Sequence, residues 1–294
     1  METSDLVALL RDNGAKIRKI EGQFFMRHGW INYSFPQLAE VPVNRRLVQM
    51  LKWRYPISVI KMGSKIKNGH EYILRTDSYS LEGFRKQTRT TLRKSLSTCE
   101  FKRPLLADLV SFGLQINRQT LKLQKRTDNI LTDQRLWEKY ISSFFDQPDT
   151  IIQGAYRDGV LIGYAICYKL GGKHYFHLQH IDRNYGTYYP MNGLMYCVIN
   201  QVLANEGSIE VSDGIESFVP LPTLNKFKRY MRFERVPITR VYVLHPVLVT
   251  IFYPVVYVCV HILKKRSVKS QVIRNILNLY YGHRLLSRLV SRCV

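Results

Sequence analysis

The chain has 294 residues, 46% of them hydrophobic, so a folded protein is expected and general disorder is excluded. Lysine and arginine number 44 against 22 acids, a net charge of +22 that calls for an anionic partner: nucleic acid, a lipid surface or a phosphate-rich ligand. Cys99, Cys167, Cys197, Cys259 and Cys293 are scattered without paired spacing, which argues against a disulfide framework and a zinc site and favours a reducing compartment.

The N-terminal METSDLVALLRDNG lacks a basic region followed by an apolar core, so no secretory signal is expected. No fixed-period repeat and no low-complexity stretch is visible. In the first 75 residues, GQFFMRHGWINYSF, YPISVIKMG and HEYILRT read as strands of a mixed domain. SYSLEGFRKQTRTTLRKSL (78–96) then reads as a helix, with Ser80 as N-cap and Leu81, Phe84, Leu92 and Leu96 on its buried side. Arg85, Arg89 and Arg93 recur every four residues beside Lys86 and Lys94, a row that is either a solvated face or a contact for phosphates. Two more helices are expected over about 105–125 and 133–145, the second carrying Trp137, Tyr140 and Phe144 at core spacing.

From Ile151 the period changes to that of strands. TIIQGAYR meets the turn signal DG, VLIGYAICYKL meets GG, and KHYFHLQHID completes an antiparallel meander. The connector RNYGTYYPMNG leads to a helix, LMYCVINQVLANEG, closing at Gly207, with positions 194, 198, 202 and 203 helically spaced. SIEVSDG is a short strand, LPTLNKFKRYMRF a short helix and RVPITRVYVL a final strand. A meander followed by alternation predicts an α/β mixed sheet, antiparallel first and then extended by a crossover helix.

The stretches GVLIGYAICYKLGGKHYFHLQHID, YYPMNGLMYCVINQVLANEG, IEVSDG and LNKFKRYMRFERVPI, in this order, resemble the GNAT acyltransferase fold. The closer resemblance is to its FemAB-like and CelD-like (BioF2-like acetyltransferase) branch, in which two GNAT-like halves stand in tandem. It implies a degenerate N-terminal half over 1–100, connecting helices over 101–150, an acyltransferase core over 151–245, and an apolar and basic helical extension over 246–294. The usual pyrophosphate loop, a glutamine or arginine followed by Gly-x-Gly/Ala, is absent. Tyr189-Pro190-Met191-Asn192-Gly193 stands there, as in the proline-containing version of the FemAB-like branch. The donor is therefore open among acetyl-CoA, another acyl-CoA and aminoacyl-tRNA, and no metal is expected.

By the same resemblance, His177 to Asp182 is a splayed strand and Arg183 to Gly193 a phosphate-binding connector. Its donor-binding candidates are Arg183, Tyr185, Gly186, Pro190, Met191, Asn192 and Gly193. Pro190 suits a helix entry, Asn192 an N-cap, and the two glycines a close backbone approach. On its residues alone, the stretch is an aromatic loop that caps a helix.

Acyl transfer needs a base for the nucleophile's proton and an acid for the leaving group. Strand alternation puts His174, Phe176, Leu178 and His180 on one face and Tyr175, His177, Gln179 and Ile181 on the other. His180, nearest the connector, is the candidate base, weighed against a hydrogen-bonded structural histidine. Asp213 is a base, an orienting acceptor or a turn aspartate before Gly214. Lys228 resembles the FemAB-like lysine that stabilises phosphate or oxyanion, and Tyr230 the GNAT tyrosine that protonates a thiolate, unless Tyr230 packs in the core. Cys167 and Cys197 fall in apolar runs and read as buried.

After Glu234 there is no acidic residue. The uncharged run 241–263, interrupted by Pro246 and Pro254, suits a helix docked on a membrane face or packed on the domain. Beyond it, Val272, Ile276, Leu279, Leu286 and Val290 form an apolar side among Arg274, Arg284, Arg288 and Arg292. That pattern is a basic amphipathic helix on anionic lipid or a helical pair packed on the domain. The sequence thus predicts a cytoplasmic N- or O-acyltransferase, peripheral on the inner membrane face, acting on a saccharide, lipid-linked or amino-acid-like acceptor. The alternatives are an aminoacyl-tRNA-dependent FemAB-type transferase and a noncatalytic GNAT-shaped module that binds RNA or anionic membrane.

Overall fold

A computed structural model of the chain describes residues 1–36, 39–217, 221–261, 277 and 279–286. The elements run α1 (Thr3–Asp12), β1 (Lys16–Ile20), β2 (Gln23–His28), β3 (Ile31–Phe35), α2 (Arg45–Arg54), β4 (Ile57–Met62) and β5 (Gly69–Thr76). After a 3-10 turn at Leu81–Gly83 come α3 (Lys86–Thr98) and β6 (Glu100–Lys102). Next, α4 (Leu106–Asp108) passes through a π-turn into α5 (Leu114–Gln124), followed by α6 (Asn129–Thr132) and α7 (Gln134–Phe145). Then β7 (Thr150–Arg157), β8 (Val160–Leu170) and β9 (Lys173–Ile181) lead to a 3-10 turn at Arg183–Tyr188. The chain continues with α8 (Pro190–Glu206), β10 (Ile209–Ile215), α9 (Pro222–Tyr230), β11 (Glu234–Leu244) and α10 (Pro246–His261).

These elements form two compact units. The first comprises Met1–Gly14, Tyr72–Gly214 and Thr223–Arg235; the second comprises Ala15–Glu71, Ile215–Pro222 and Val236–Val294. In the first, the strand order is β5-β10-β9-β8-β7-β6. Strands β7, β8 and β9 pair antiparallel. Both turns between them, Asp158-Gly159 and Gly171-Gly172, have positive φ at each central residue, as tight hairpins between right-twisted strands require. Helix α8 then crosses over and β10 returns parallel to β9, with Val211 opposite His174 and Ser212 opposite Tyr175. This is the order expected from 151 onward.

The second unit repeats that plan. Strands β1, β2 and β3 form an antiparallel meander, α2 follows, and β4 lies parallel to β3, with Ile31 opposite Ile57. In each unit the next strand over comes from a distant part of the chain: β5 beside β10, and β11 beside β4. The architecture is therefore α/β with two GNAT-like halves, a topological repeat that leaves no period in the sequence.

Helix α8 is the main packing element of the first unit. Its Met195, Ile199 and Val202 meet Tyr72, Leu74, Phe84 and Leu92, while Leu194 and Val198 meet Ala155, Ile162, Ala165 and Cys167. Each such aliphatic side chain contributes about 1.5–3 kcal/mol on burial. Helix α3 buries Thr88, Leu92 and Ser95, one stripe at helical spacing. The expected helix over 78–96 starts later than its pattern suggests: Ser80 stands at the N-cap position of the 3-10 turn without a side-chain cap bond, and the extended residues Phe84 and Arg85 separate that turn from α3. Phe84 is buried in the core at that break, and Leu81 is only partly buried against it. Trp137, Tyr140 and Phe144 are core, as expected, with Trp137 Nε1 donating to Leu109 O at 2.7 Å.

Of the expected C-terminal amphipathic helix, Val272, Arg274, Ile276, Arg288, Val290 and Arg292 lie outside the described residues. Leu286 is buried among Leu47, Leu51, Val241 and Val243, so this part of the stretch packs on its own unit. Among the described residues no helix is long and apolar enough to cross a membrane.

Gly193, buried on α8, sits where a Cβ would stand 2.0 Å from Phe101 Cζ and 2.5 Å from Ser95 Oγ. The close approach it permits is therefore to α3 and β6. Gly193→Ala is expected to cost about 1–3 kcal/mol by overpacking, with a lowered thermal midpoint. Adding Phe101→Leu should return part of the loss in a double-mutant cycle, whereas strictly additive losses would contradict this packing.

Candidate functional site

The face that each β9 side chain presents depends on one irregularity. Ile166 pairs with Leu178 but Cys167 pairs with Phe176, so His177 is an extra residue in β9. Directly opposed residues share a face, which puts His180 with Tyr164 and Tyr175 with Tyr168 on one side. His177 joins them, its ring 5.2 Å from Phe144 and 5.6 Å from Tyr168. The other side carries His174, Phe176, Gln179 and Ile181, toward α8. Strict alternation, which grouped His180 with His174 and Phe176 and separated it from His177, is corrected by the bulge.

On the α8 side, the parallel ladder joins β9 and β10 at His174–Tyr175 and Val211–Ser212, and both strands continue beyond it, to Ile181 and Ile215. Asp213 stands just past the last pair. Its Oδ1 accepts from Gln179 Nε2 at 2.6 Å, and its Oδ2 lies 3.3 Å from Lys228 Nζ. The ammonium also donates to the Asp213 backbone carbonyl and lies 4.9 Å from the centre of the Tyr72 ring. Both charged side chains are 9% exposed. Burial raises the Asp213 carboxyl above its ordinary range, with Lys228 and Gln179 opposing. The structure thus joins two of the candidates, Asp213 and Lys228, and adds Gln179 and Tyr72.

His180 belongs to a different cluster. Its Nδ1 is 2.6 Å from Asn117 Oδ1, which also accepts from the Tyr164 hydroxyl, and His177 Nε2 is hydrogen-bonded to the Tyr140 hydroxyl. Burial pushes His180 down to about 4, helped by Arg126 and opposed by Asp128. Burial also pushes His177 to about 4, with His180 adding to the effect. Both are neutral imidazoles at pH 7. Tyr230 is two residues from Lys228 on α9, about 200° around the helix, and its ring neighbours Lys226 at 5.5 Å. It is not brought to Asp213. Cys167 is buried with its thiol pushed up, and Cys197 is pushed up to about 11 by burial, so neither is a thiolate nucleophile.

The connector is a closed turn. Arg183 N donates to Gln119 Oε1, Asn184 N to Asp182 Oδ1, and Tyr185 N to Asp182 O. Tyr189 N donates to Gly186 O, and both Asn192 N and Gly193 N donate to Tyr189 O. Asn192 is not the N-cap: Tyr189 holds that place, and Pro190 opens α8. Met191 packs against the core, Arg183 is exposed, and Tyr185 and Gly186 are half-buried. Tyr189 is left-handed, φ 56°, a conformation costly for a bulky residue. Its carbonyl accepts from Ser95 Oγ at 2.9 Å and Lys94 Nζ lies 5.5 Å from its ring. Arg157 stacks 4.0 Å from the Tyr188 ring. Two cations thus flank the turn, and α3 continues the positive surface with Arg85, Lys86 and Arg93 exposed.

Away from both clusters, a depression of about 420 Å³ is lined by Leu9, Asn13, Lys139 and Gln147 among others. Among the described residues no three His, Cys, Asp or Glu side chains gather as a metal site needs.

No family model matches this chain, and no curated protein does. Solved structures are similar in fold. One is the C-terminal domain of a protein from Agrobacterium fabrum named as a lysylphosphatidylglycerol synthetase, with TM-score 0.52 and 13% identity over 87% of this chain and 94% of that one. Another is FemX, with TM-score 0.51 and 11% identity over 77% of this chain and 87% of that one. A conserved protein of unknown function from Bacteroides thetaiotaomicron matches at TM-score 0.50 and 11% identity, over 82% of this chain and 88% of that one.

The neutral histidines make stability pH-dependent. Unfolded histidines take up protons near 6.5, whereas these resist until about 4, so the unfolded state binds more protons between those values. Stability should fall as pH drops through that window, by roughly 3 kcal/mol for each histidine held neutral. Asp213 acts in the opposite direction over the carboxylate range, so the readout is a comparison: His180→Gln should flatten the decline in denaturant midpoints between pH 6.5 and 4. An unchanged slope would show that His180 titrates normally.

Proposed function

We propose that the chain is a GNAT-type acyltransferase of the FemAB-like kind. It moves an acyl or aminoacyl group from a nucleotide-bearing donor to an amino or hydroxyl group, and works in the cytoplasm. The observation that carries this reading is the buried Lys228–Asp213 pair, bridged by Gln179, where β9 and β10 part.

The chemistry suits those groups. The acceptor's nitrogen or oxygen attacks the donor carbonyl carbon, the bond to the thiol or ribose oxygen breaks, and one proton passes from nucleophile to leaving group. Asp213, with a raised affinity for protons, is suited to receive the nucleophile's proton. The Lys228 ammonium is placed to offset the oxyanion and to supply charge to the leaving atom. His180 has no part in this assignment, because it faces Asn117 and Tyr164. Tyr230 likewise drops out.

For the donor, Arg183, Tyr185, Gly186, Pro190, Met191 and Asn192 remain the binding turn, with Lys94 and Arg157 as its cations. Because the amides of Arg183, Asn184, Tyr185, Tyr189, Asn192 and Gly193 are already donated within the protein, a pyrophosphate would rely on the remaining amides of the turn and on the side chains beside it. This favours a longer polyanion, and aminoacyl-tRNA over acetyl-CoA or another acyl-CoA. The acceptor class is a saccharide, lipid-linked or amino-acid-like group.

Calorimetry with coenzyme A, acetyl-CoA and aminoacyl-tRNA tests the donor. Tight, salt-dependent binding is expected for aminoacyl-tRNA, and binding of coenzyme A alone would reverse that order. In a transfer assay, Asp213→Asn should lower kcat by about 10²–10⁴-fold with the fold retained by circular dichroism. Unchanged turnover would remove Asp213 from the catalytic role, and nucleic-acid binding without any turnover would favour the noncatalytic module.

A further inference from the structure

The second unit carries a surface that the transfer reading does not use. The ladder registers put Ile31, Ile57 and Leu244 in one row across β3, β4 and β11. Whatever adjoins those residues lies at one end of that sheet. Trp30 precedes Ile31 in the β2–β3 turn, Trp53 and Arg54 end the helix that leads into Ile57, and His245 and Val247 follow Leu244 into α10. The Trp53 and His245 rings meet edge to face at 5.8 Å, and His245 N donates to Pro56 O at 2.9 Å, which ties α2 to the start of α10.

This end is apolar and open: Trp30 is 75% exposed, Trp53 64%, Val247 57% and Ile251 56%. Val247 and Ile251 share a face of α10, a helix of 16 residues without a charged side chain. Exposed cations ring the same end: Lys16 and Arg27, opposite each other in the first hairpin, and Arg54. The acids of the second unit lie elsewhere. Glu21 is in the opposite turn of that hairpin with Arg46, Glu40 is beside Gly63, Glu71 pairs with Lys61, and Glu216 pairs with His70.

We infer that this end of the second unit docks on an anionic lipid surface, with Trp30 and Trp53 at headgroup depth and α10 lying in the interface. Tryptophan indoles partition to that depth, an uncharged helix whose described length is too short to span lies along it, and the cationic rim, apart from the second unit's acids, matches lipid charge. Such docking would bring the protein to a lipid-linked acceptor, yet it rests on none of the residues assigned to transfer.

Intrinsic fluorescence tests it in the full chain, because the remaining tryptophan, Trp137, is fully buried. Vesicles of phosphatidylcholine mixed with phosphatidylglycerol should shift emission to shorter wavelength and protect Trp30 and Trp53 from iodide, and phosphatidylcholine alone should not. Each of Trp30→Phe and Trp53→Phe should remove part of the shift. A Trp30→Ser, Trp53→Ser, Ile251→Asn variant should lose about tenfold or more in vesicle affinity while Trp137 emission stays unchanged. The inference is overturned by absence of vesicle binding at low salt, or by binding that leaves both indoles open to iodide, which would assign it to the basic C-terminal segment. A shift produced by single-stranded RNA without vesicles would overturn it equally. Transfer to a soluble acceptor should persist in the triple variant, so a failure of docking and a failure of the transferase reading give different results.

Discussion

Between Phe176 and Leu178, β9 carries one residue more than the strand it pairs with, and that residue is His177. The bulge sets which chemistry faces which side of the first unit's sheet. Without it, His177 would share a face with Gln179. With it, His177 and His180 both turn toward α5 and α7, and Gln179 alone turns to Asp213. A bulge also bends its strand, and the bend fits a parallel ladder that joins only two residues of β9 to β10. The acid–ammonium pair stands at that parting.

Two buried polar groups of different character result. The histidine cluster is neutral and hydrogen-bonded to Tyr140, Asn117 and Tyr164; such a network specifies the packing of α5 and α7 on the sheet, and it leaves the buried Asn117 Nδ2 without a partner among the described residues. The Lys228–Asp213 pair is costlier. Two charges removed from water recover their desolvation only through good mutual geometry and further hydrogen bonds. Gln179 and the Asp213 carbonyl supply those bonds. The catalytic role proposed for the pair would account for that cost. The left-handed Tyr189 is a second local cost, held in place by Ser95 from α3.

Much of the fold was legible because the signals are local. The turns Asp158-Gly159 and Gly171-Gly172 fix the β7–β9 meander, and the apolar spacing of α8 marks its crossover. The repeat of this plan in the second unit was expected from the resemblance and not from any period in the residues, since it resides in strand order; that β5 pairs beside β10 and β11 beside β4 carries no local signal. Among the site candidates, Asp213 was read from its type at a strand end and Lys228 from the resemblance, and the two stand together. Gln179 and the place of His180 were missed because a bulge changes parity without a sequence mark as plain as glycine. Asn192 was read as the N-cap from its type and Gly193 as a close-approach glycine; that Tyr189 takes the cap and that Gly193 makes room for Phe101 and Ser95 are tertiary facts.

Amide-resolved NMR during titration with donor tests the central claim most directly. The account predicts shifts confined to the backbone of Phe176–Ile181, the side chains of Gln179 and Lys228, and the turn at Arg183–Asn192, with the His180 and His177 imidazoles unmoved. Shifts centred on the Asn117–His180 cluster, with Gln179 and Lys228 silent, would contradict it.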